Sequence, residues 1–189
     1  MKLFKALLPW ILAIVWLGFR YTAYTSFYKG NPESARSLGV SLNLLFIIVL
    51  LFQVLWGMYK ERRQGATGSF LSDLKRVAFQ PMKYVLGVGI LLTVYYTTLS
   101  TELMDKRQAD YALIDQSLDT PEKVKQIVAE NDQLKGYTKE QIIDAARGRT
   151  ELFTNPKVVS SASFLVLIFV TLLYSVFAVF LFRSFLKLR

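Results

Sequence analysis

The chain has 189 residues, 53% of them hydrophobic and 14% aromatic, and a formal net charge of +9 at pH 7. It contains neither Cys nor His, which removes thiolate nucleophiles, disulfides, imidazole bases, haem-type His ligation and the usual zinc sites, leaving only carboxylates for a metal. The apolar residues gather in four long blocks with nearly all charges between them, the segregation that a bilayer requires.

The first block, Ala6 to Tyr28, opens LLPWILAIVWLGF and ends RYTAYTSFY. With a rise of about 1.5 Å per residue it can cross a hydrocarbon core of roughly 30 Å. Lys2 and Lys5 ahead of an apolar run also suit a signal peptide, but aromatics follow where a small-residue cleavage site is required, and the block reads as a span. The second, Leu38 to Tyr59, carries no charge.

Residues Lys60 to Lys83 read as a loop that opens on a Gly-marked turn, KERRQGATGS. A short amphipathic helix is predicted after it. Ser69 is its N-cap, Phe70, Leu74, Val77 and Ala78 share one face, Lys75 and Arg76 the other, and Pro81 ends it. Lys60, Arg62, Arg63, Lys75, Arg76 and Lys83 are candidate contacts to anionic lipid. Packing of the apolar face on the bundle accounts for the segment equally well.

The third block, Tyr84 to about Leu103, is Thr-rich and meets Glu102 near its end. A long polar region follows, Met104 to Lys157. Leu103, Tyr111, Ile114 and Leu118 recur at helical intervals and predict that the third span extends out of the membrane. Asp119 or Thr120 with Pro121 begins a helix through PEKVKQIVAENDQL, stopped at Gly136. Thr138 and Gln141 form a capping box for KEQIIDAARGRTELF. Val124, Ile127, Val128, Leu134, Ile142, Ile143 and Phe153 then supply a small cap over the bundle or a docking face. The fourth block runs from Val158 to Phe182. Lipid leaves no partner for an open peptide group, so all four blocks must be helices.

Orientation follows from Lys and Arg in the connections. Lys2, Lys5, the basic residues of the Lys60–Lys83 segment, Arg183, Lys187 and Arg189 fall on one side, against Lys29 and Arg36 on the other. Both termini are therefore expected in the cytoplasm. Placed beside apolar blocks, the basic excess is a topology signal, and no nucleic-acid partner is expected.

Four polar residues within or next to the spans are candidate helix–helix contacts. Arg20 can snorkel to the outer surface or pair with Glu102. Asn43 and Gln53, ten residues apart on the second span, suit interhelical hydrogen bonds, or a substrate path as the sharper alternative. Gly87, Gly89 and Ser160 to Ser163 offer small surfaces for close helix approach. The acid pairs Glu130/Asp132 and Asp115/Asp119 lack the spacing of a calcium loop. No catalytic residue, cofactor or metal is expected.

The order of parts, with the segment SFLSDLKRVAFQPMKYVLGVGI before and into the third span and LFTNPKVVSSASFLVLIFVTLLYSVFAVFLF at the end, resembles the bacterial family catalogued as domain of unknown function 4199, found mostly in Bacteroidetes. The RYTAYTSFY end of the first span is less like that family. The resemblance implies an inner-membrane protein of a Gram-negative bacterium with no catalytic residues, its relatives often encoded near a glycosyltransferase that uses lipid-linked sugars. The expectation is an all-α integral membrane protein, a single membrane domain of four spans with a helical extracytoplasmic loop between the third and fourth. Its expected role is that of a non-catalytic accessory, anchoring or scaffolding subunit. Its partners would be membrane lipids and another membrane or membrane-associated protein, or itself as a homo-oligomer. A small oligomeric transporter or lipid-handling protein is the alternative.

Overall fold

A computed structural model describes residues 2–28 and 31–185, all of them helical or in short connections and none in a strand. Lys29, Lys187 and Arg189 lie outside the described residues, as do the side chains of Lys2 and Asp132. The helices are α1 Lys2–Thr22, α2 Pro32–Arg63, α3 Phe70–Val94, α4 Glu102–Ser117, α5 Pro121–Glu130, α6 Lys139–Phe153 and α7 Pro156–Phe185. Single wider π turns, Ala23–Phe27 and Tyr95–Leu99, continue α1 and α3. Four stretches are long and apolar enough to cross a membrane: Phe4–Phe27, Glu33–Arg63, Phe70–Leu99 and Pro156–Phe185.

The chain divides into two compact units, Met1–Leu99 with Ser160–Arg189, and Ser100–Val159. In the first, α1, α2 and α7 each bury one narrow stripe, and α3 buries a broader face that includes Tyr84, Val85, Gly87 and Val88. On α1 the stripe is Pro9, Ala13, Trp16, Arg20 and Ala23; on α2 it is Ala35, Gly39, Asn43, Ile47, Leu50 and Met58. These steps of three and four keep a single helix face inward. The α7 stripe is Ser160, Leu167, Thr171, Ser175, Val179 and Phe182. Small residues let the helices close up: a Cβ on Gly87 would stand 3.1 Å from Ala13 and Trp10, and one on Gly89 would stand 2.5 Å from the Phe164 ring. The outward faces carry the larger apolar groups, with Phe169, Phe177 and Phe180 each at least 60% exposed on α7. An exterior greasier than the interior suits hydrocarbon rather than water.

Two sequence expectations are corrected here. The amphipathic segment does not stop at Pro81; α3 runs from Phe70 to Val94 with Pro81 buried inside it. Proline forfeits one backbone hydrogen bond, but a spanning helix has no better place for the remaining ones and tolerates it. The connection between the second and third spans therefore shrinks to residues 64–69, and Lys75, Arg76 and Lys83 ride on the spanning helix itself. Ser69 caps it, accepting from the Ser72 amide at 3.2 Å. Nor does the third span continue unbroken: the π turn ends at Leu99, and α4 starts afresh after Thr101.

In the second unit α4 and α6 pair through a ladder of polar contacts. Arg107 donates to Thr154 at 2.8 Å, Tyr111 to Glu151 at 2.8 Å, and Arg147 to Asp115 at 2.8 and 2.9 Å. Residues 107, 111 and 115 are one turn apart on one helix face, and their partners descend the other, so the pair is antiparallel. Both hydrogen bonds of the Thr138/Gln141 capping box are present. The helix expected to run on to Gly136 instead ends at Glu130, followed by a 3₁₀ turn, Asp132–Leu134, and by Gly136 at φ +90°.

Candidate functional site

Polar groups of the first unit fall in two places, a buried pair of contacts along the spans and a charged cluster at one end. Along the spans, Tyr84 of α3 donates to Asn43 Oδ1 of α2 at 2.6 Å, and both side chains are buried. Arg20, 2% exposed, does not snorkel to a surface. Its guanidinium lies 5.6 Å from the centre of the Tyr95 ring and donates to the Tyr96 hydroxyl at 3.4 Å. The stem of that arginine fills the space that Gly39 leaves, since a Cβ there would stand 2.9 Å from Arg20 Cδ. Trp16 Nε1 donates to the Gly39 carbonyl at 2.9 Å, which ties α1 to α2 at the same level. Glu102, in the second unit, is buried as well.

At one end of the bundle the start of α1, the end of α2, the start of α3 and the end of α7 come together around charge. Asp73, in the first turn of α3, is nearly inaccessible and accepts from two arginines, Arg62 of α2 and Arg183 of α7, each at 2.7 Å. Arg62 also donates to the Ala66 carbonyl at 3.1 Å and Arg183 to the Gly68 carbonyl at 3.0 Å. The short connection and the end of α7 are thus fastened to one carboxylate, which also sits favourably at a helix N-terminus. One turn further along α3, Arg76 makes a two-pronged contact with Glu61.

Of the six candidate lipid contacts, Arg62 and Arg76 are therefore engaged with protein carboxylates. Lys60 lies 5.4 Å over the Trp56 ring, Arg63 5.7 Å over Tyr59 and Lys83 4.3 Å over Phe79, while Lys75 is exposed. Lys60 and Arg63, held over aromatic rings at the end of α2, have the composition of a membrane–water boundary, whereas Lys83 stands about halfway along α3.

Gln53 is not part of the Asn43 contact. It lines a cavity of about 320 Å³ between α1, α2 and α3, together with Lys5, Glu61, Arg76 and Gln80. Residues 53, 57 and 61 stand one turn apart on α2, and 76 and 80 likewise on α3. The charged groups of this cavity occupy the end of the bundle and the two amides lie deeper. The sequence reading passed over Asp73, Glu61 and Gln80 because it placed 60–83 in a loop, and it took Tyr84 only as the first residue of the third span. The available signal was an acid in the first turn after an N-cap serine, flanked by arginines. A second, mainly apolar groove of about 830 Å³ runs between α2 and α7, bounded by residues such as Phe52, Trp56 and Phe177. Among the described residues no group of three or more acidic side chains could hold a metal ion.

No family model, no curated protein and no solved structure matches the chain.

Proposed function

We propose that the chain is a non-catalytic integral inner-membrane protein that acts as an accessory, anchoring or scaffolding subunit of a membrane complex. One observation carries the reading: two buried polar contacts along the spans are made within the chain itself, Asn43 with Tyr84 and Arg20 with Tyr95 and Tyr96. A large apolar helix exterior and a separate helical unit of polar surface are open to other molecules, the equipment of a binding subunit. The resemblance to the domain of unknown function 4199 family points the same way and suggests a lipid-linked-sugar glycosyltransferase as partner. The rival reading, a small oligomeric transporter or lipid-handling protein, draws its path past Asn43, Gln53 and the Thr-rich third span; Asn43 is 4% exposed and bonded to Tyr84, while Gln53 lines a cavity of about 320 Å³.

The test is purification of the full chain in mild detergent with a photo-crosslinking residue at Phe180 of α7 or at Phe153 of α6, both well exposed. One membrane protein crosslinked in stoichiometric amount and co-purifying reciprocally supports the proposal. Recovery of the chain crosslinked only to itself overturns it in favour of a self-assembling carrier.

The orientation proposed with it has both termini and the 64–69 connection in the cytoplasm and Ser100–Val159 outside. Its support is the gathering of Lys60, Arg62, Arg63, Lys75, Arg76 and Arg183 at one end of the bundle. An alkaline phosphatase fusion is expected to be inactive after Arg189 and active after Lys135; the opposite pattern would invert the topology.

A further inference from the structure

The cavity between α1, α2 and α3 has a feature that neither a structural core nor a lipid-facing surface explains. The amide oxygens of Gln53 and Gln80 are both buried and without a hydrogen-bond partner, and both residues line it. A buried unpaired acceptor is costly, and both of these belong to residues that line one cavity, so a donor that enters it and draws the two amides round toward itself relieves them. The charges around the cavity are unequal: Lys5 and Arg76 against Glu61, with Arg76 already bonded to Glu61 in two-pronged fashion. One positive charge is left over, that of Lys5. Along α2, Gln53 and Glu61 are two turns apart, roughly 12 Å at 1.5 Å per residue. The cavity is thus polar but neutral at its floor and cationic at its mouth.

We infer that this cavity is a binding site for a monoanionic phosphate ester that bears free hydroxyls, the phosphoglycerol group being the smallest such ligand. The phosphate lies at the mouth against Lys5 and the outer edge of Arg76, and the hydroxyls donate to the amide oxygens of Gln53 and Gln80. Each side of the ligand meets the group that needs it: one negative charge for one excess cation, and two donors for two orphaned acceptors. A bare ammonium would face that same excess cation, and an unsubstituted alkyl phosphodiester would leave both amides unpaired. A volume of about 320 Å³ accommodates a headgroup or a free polyol phosphate but is small for a larger ligand. The same monoanionic phosphoglycerol chemistry is available from a phospholipid headgroup and from a soluble phosphodiester, glycerophosphoglycerol.

The experiment uses the full chain in nanodiscs of dioleoylphosphatidylcholine carrying a minor fraction of either dioleoylphosphatidylglycerol or dioleoylphosphatidylethanol. The two lipids have the same charge and differ in the free hydroxyls. Lipids retained on the released protein are counted by native mass spectrometry. Phosphatidylglycerol is expected to be retained about tenfold over phosphatidylethanol, the effect of two modest hydrogen bonds. The double variant Gln53→Leu/Gln80→Leu loses that preference and still retains both anionic lipids over phosphatidylcholine. Lys5→Gln weakens both anionic lipids together and keeps the preference between them. Displacement of bound phosphatidylglycerol by millimolar glycerophosphoglycerol, a soluble monoanionic diester, identifies the free solute as the ligand, and resistance to it identifies the lipid; either outcome supports the site. Equal retention of the two lipids by the unaltered chain would mean that water alone satisfies the amides, and overturns it. So does a preference that survives in the double variant, and each single leucine variant, with a melting temperature to show that it is folded, gives an independent reading.

Discussion

Asp73 and Glu61 each hold arginine, yet the two contacts differ greatly in what they contribute. Glu61 and Arg76 are about half exposed, and a solvated pair of that kind contributes about 0–1 kcal/mol. Asp73 is buried between Arg62 and Arg183, so removing its charge leaves two guanidinium groups uncompensated in a dry setting. Asp73→Asn is expected to cost about 3–5 kcal/mol, read as a large fall in the melting temperature of the detergent-solubilised chain, while Glu61→Gln changes it little. Equal effects would show that the Asp73 cluster is open to water. The Tyr84–Asn43 hydrogen bond is a milder case. Tyr84→Phe should cost about 1 kcal/mol in a mild-to-harsh detergent titration, and adding Asn43→Leu should cost little more, because both polar ends are then gone.

Helix contacts are governed by where no side chain stands. The Gly89–Phe164 contact between α3 and α7 leaves no space for a methyl group, so Gly89→Ala forces the ring aside at a cost of about 1–3 kcal/mol. Gly18, with nothing within 4 Å of its Cβ position, is the control: Gly18→Ala should be neutral or stabilise α1 by up to about 1 kcal/mol through helix propensity. Similar losses at both positions would mean that glycine matters for flexibility rather than for fit. In the second unit the helix starts respond to acid. A hydrogen bond from Lys123 holds the Asp119 carboxyl below the usual range, and backbone and Thr138 hydrogen bonds do the same for Glu140. Their folded pKa values are lowered, so the stabilisation is present above an unfolded value of about 4 and is lost as pH falls through the lowered values. Amide exchange in α5 and at the start of α6, corrected for intrinsic rates, should accelerate below about pH 4; protection unchanged in acid would remove these contacts from the stability of the unit.

For the whole molecule, the four apolar stretches were legible because composition and length alone require them, and the capping box at Thr138 because its two residues are local. What was illegible depended on the third dimension. Pro81 reads as a stop signal in isolation, and only a spanning context keeps the helix going through it. Asp73 acquires its meaning from Arg183, 110 residues away, and Gln53 from Gln80 on a neighbouring helix. Arg20 lies far enough along α1 to snorkel, yet the room beside Gly39 and the rings of Tyr95 and Tyr96 draw it inward. The same reasoning sets the environment of the outer surface. Phe177 is 60% exposed, about two turns inside the end of α7. If water covered it, Phe177→Asp would be a surface change worth within about 0.5 kcal/mol. Against hydrocarbon it introduces a carboxylate into the span, at a cost of up to about 2.5–3.5 kcal/mol, the value of the insertion scale at a helix centre, whereas Phe177→Leu leaves lipid contact intact. Carbonate extraction of membranes should therefore find the Leu variant fully integrated and the Asp variant partly lost to the soluble or degraded fraction. Equal integration of the two would mean that a partner or an aqueous surface, and not lipid, covers this face of α7.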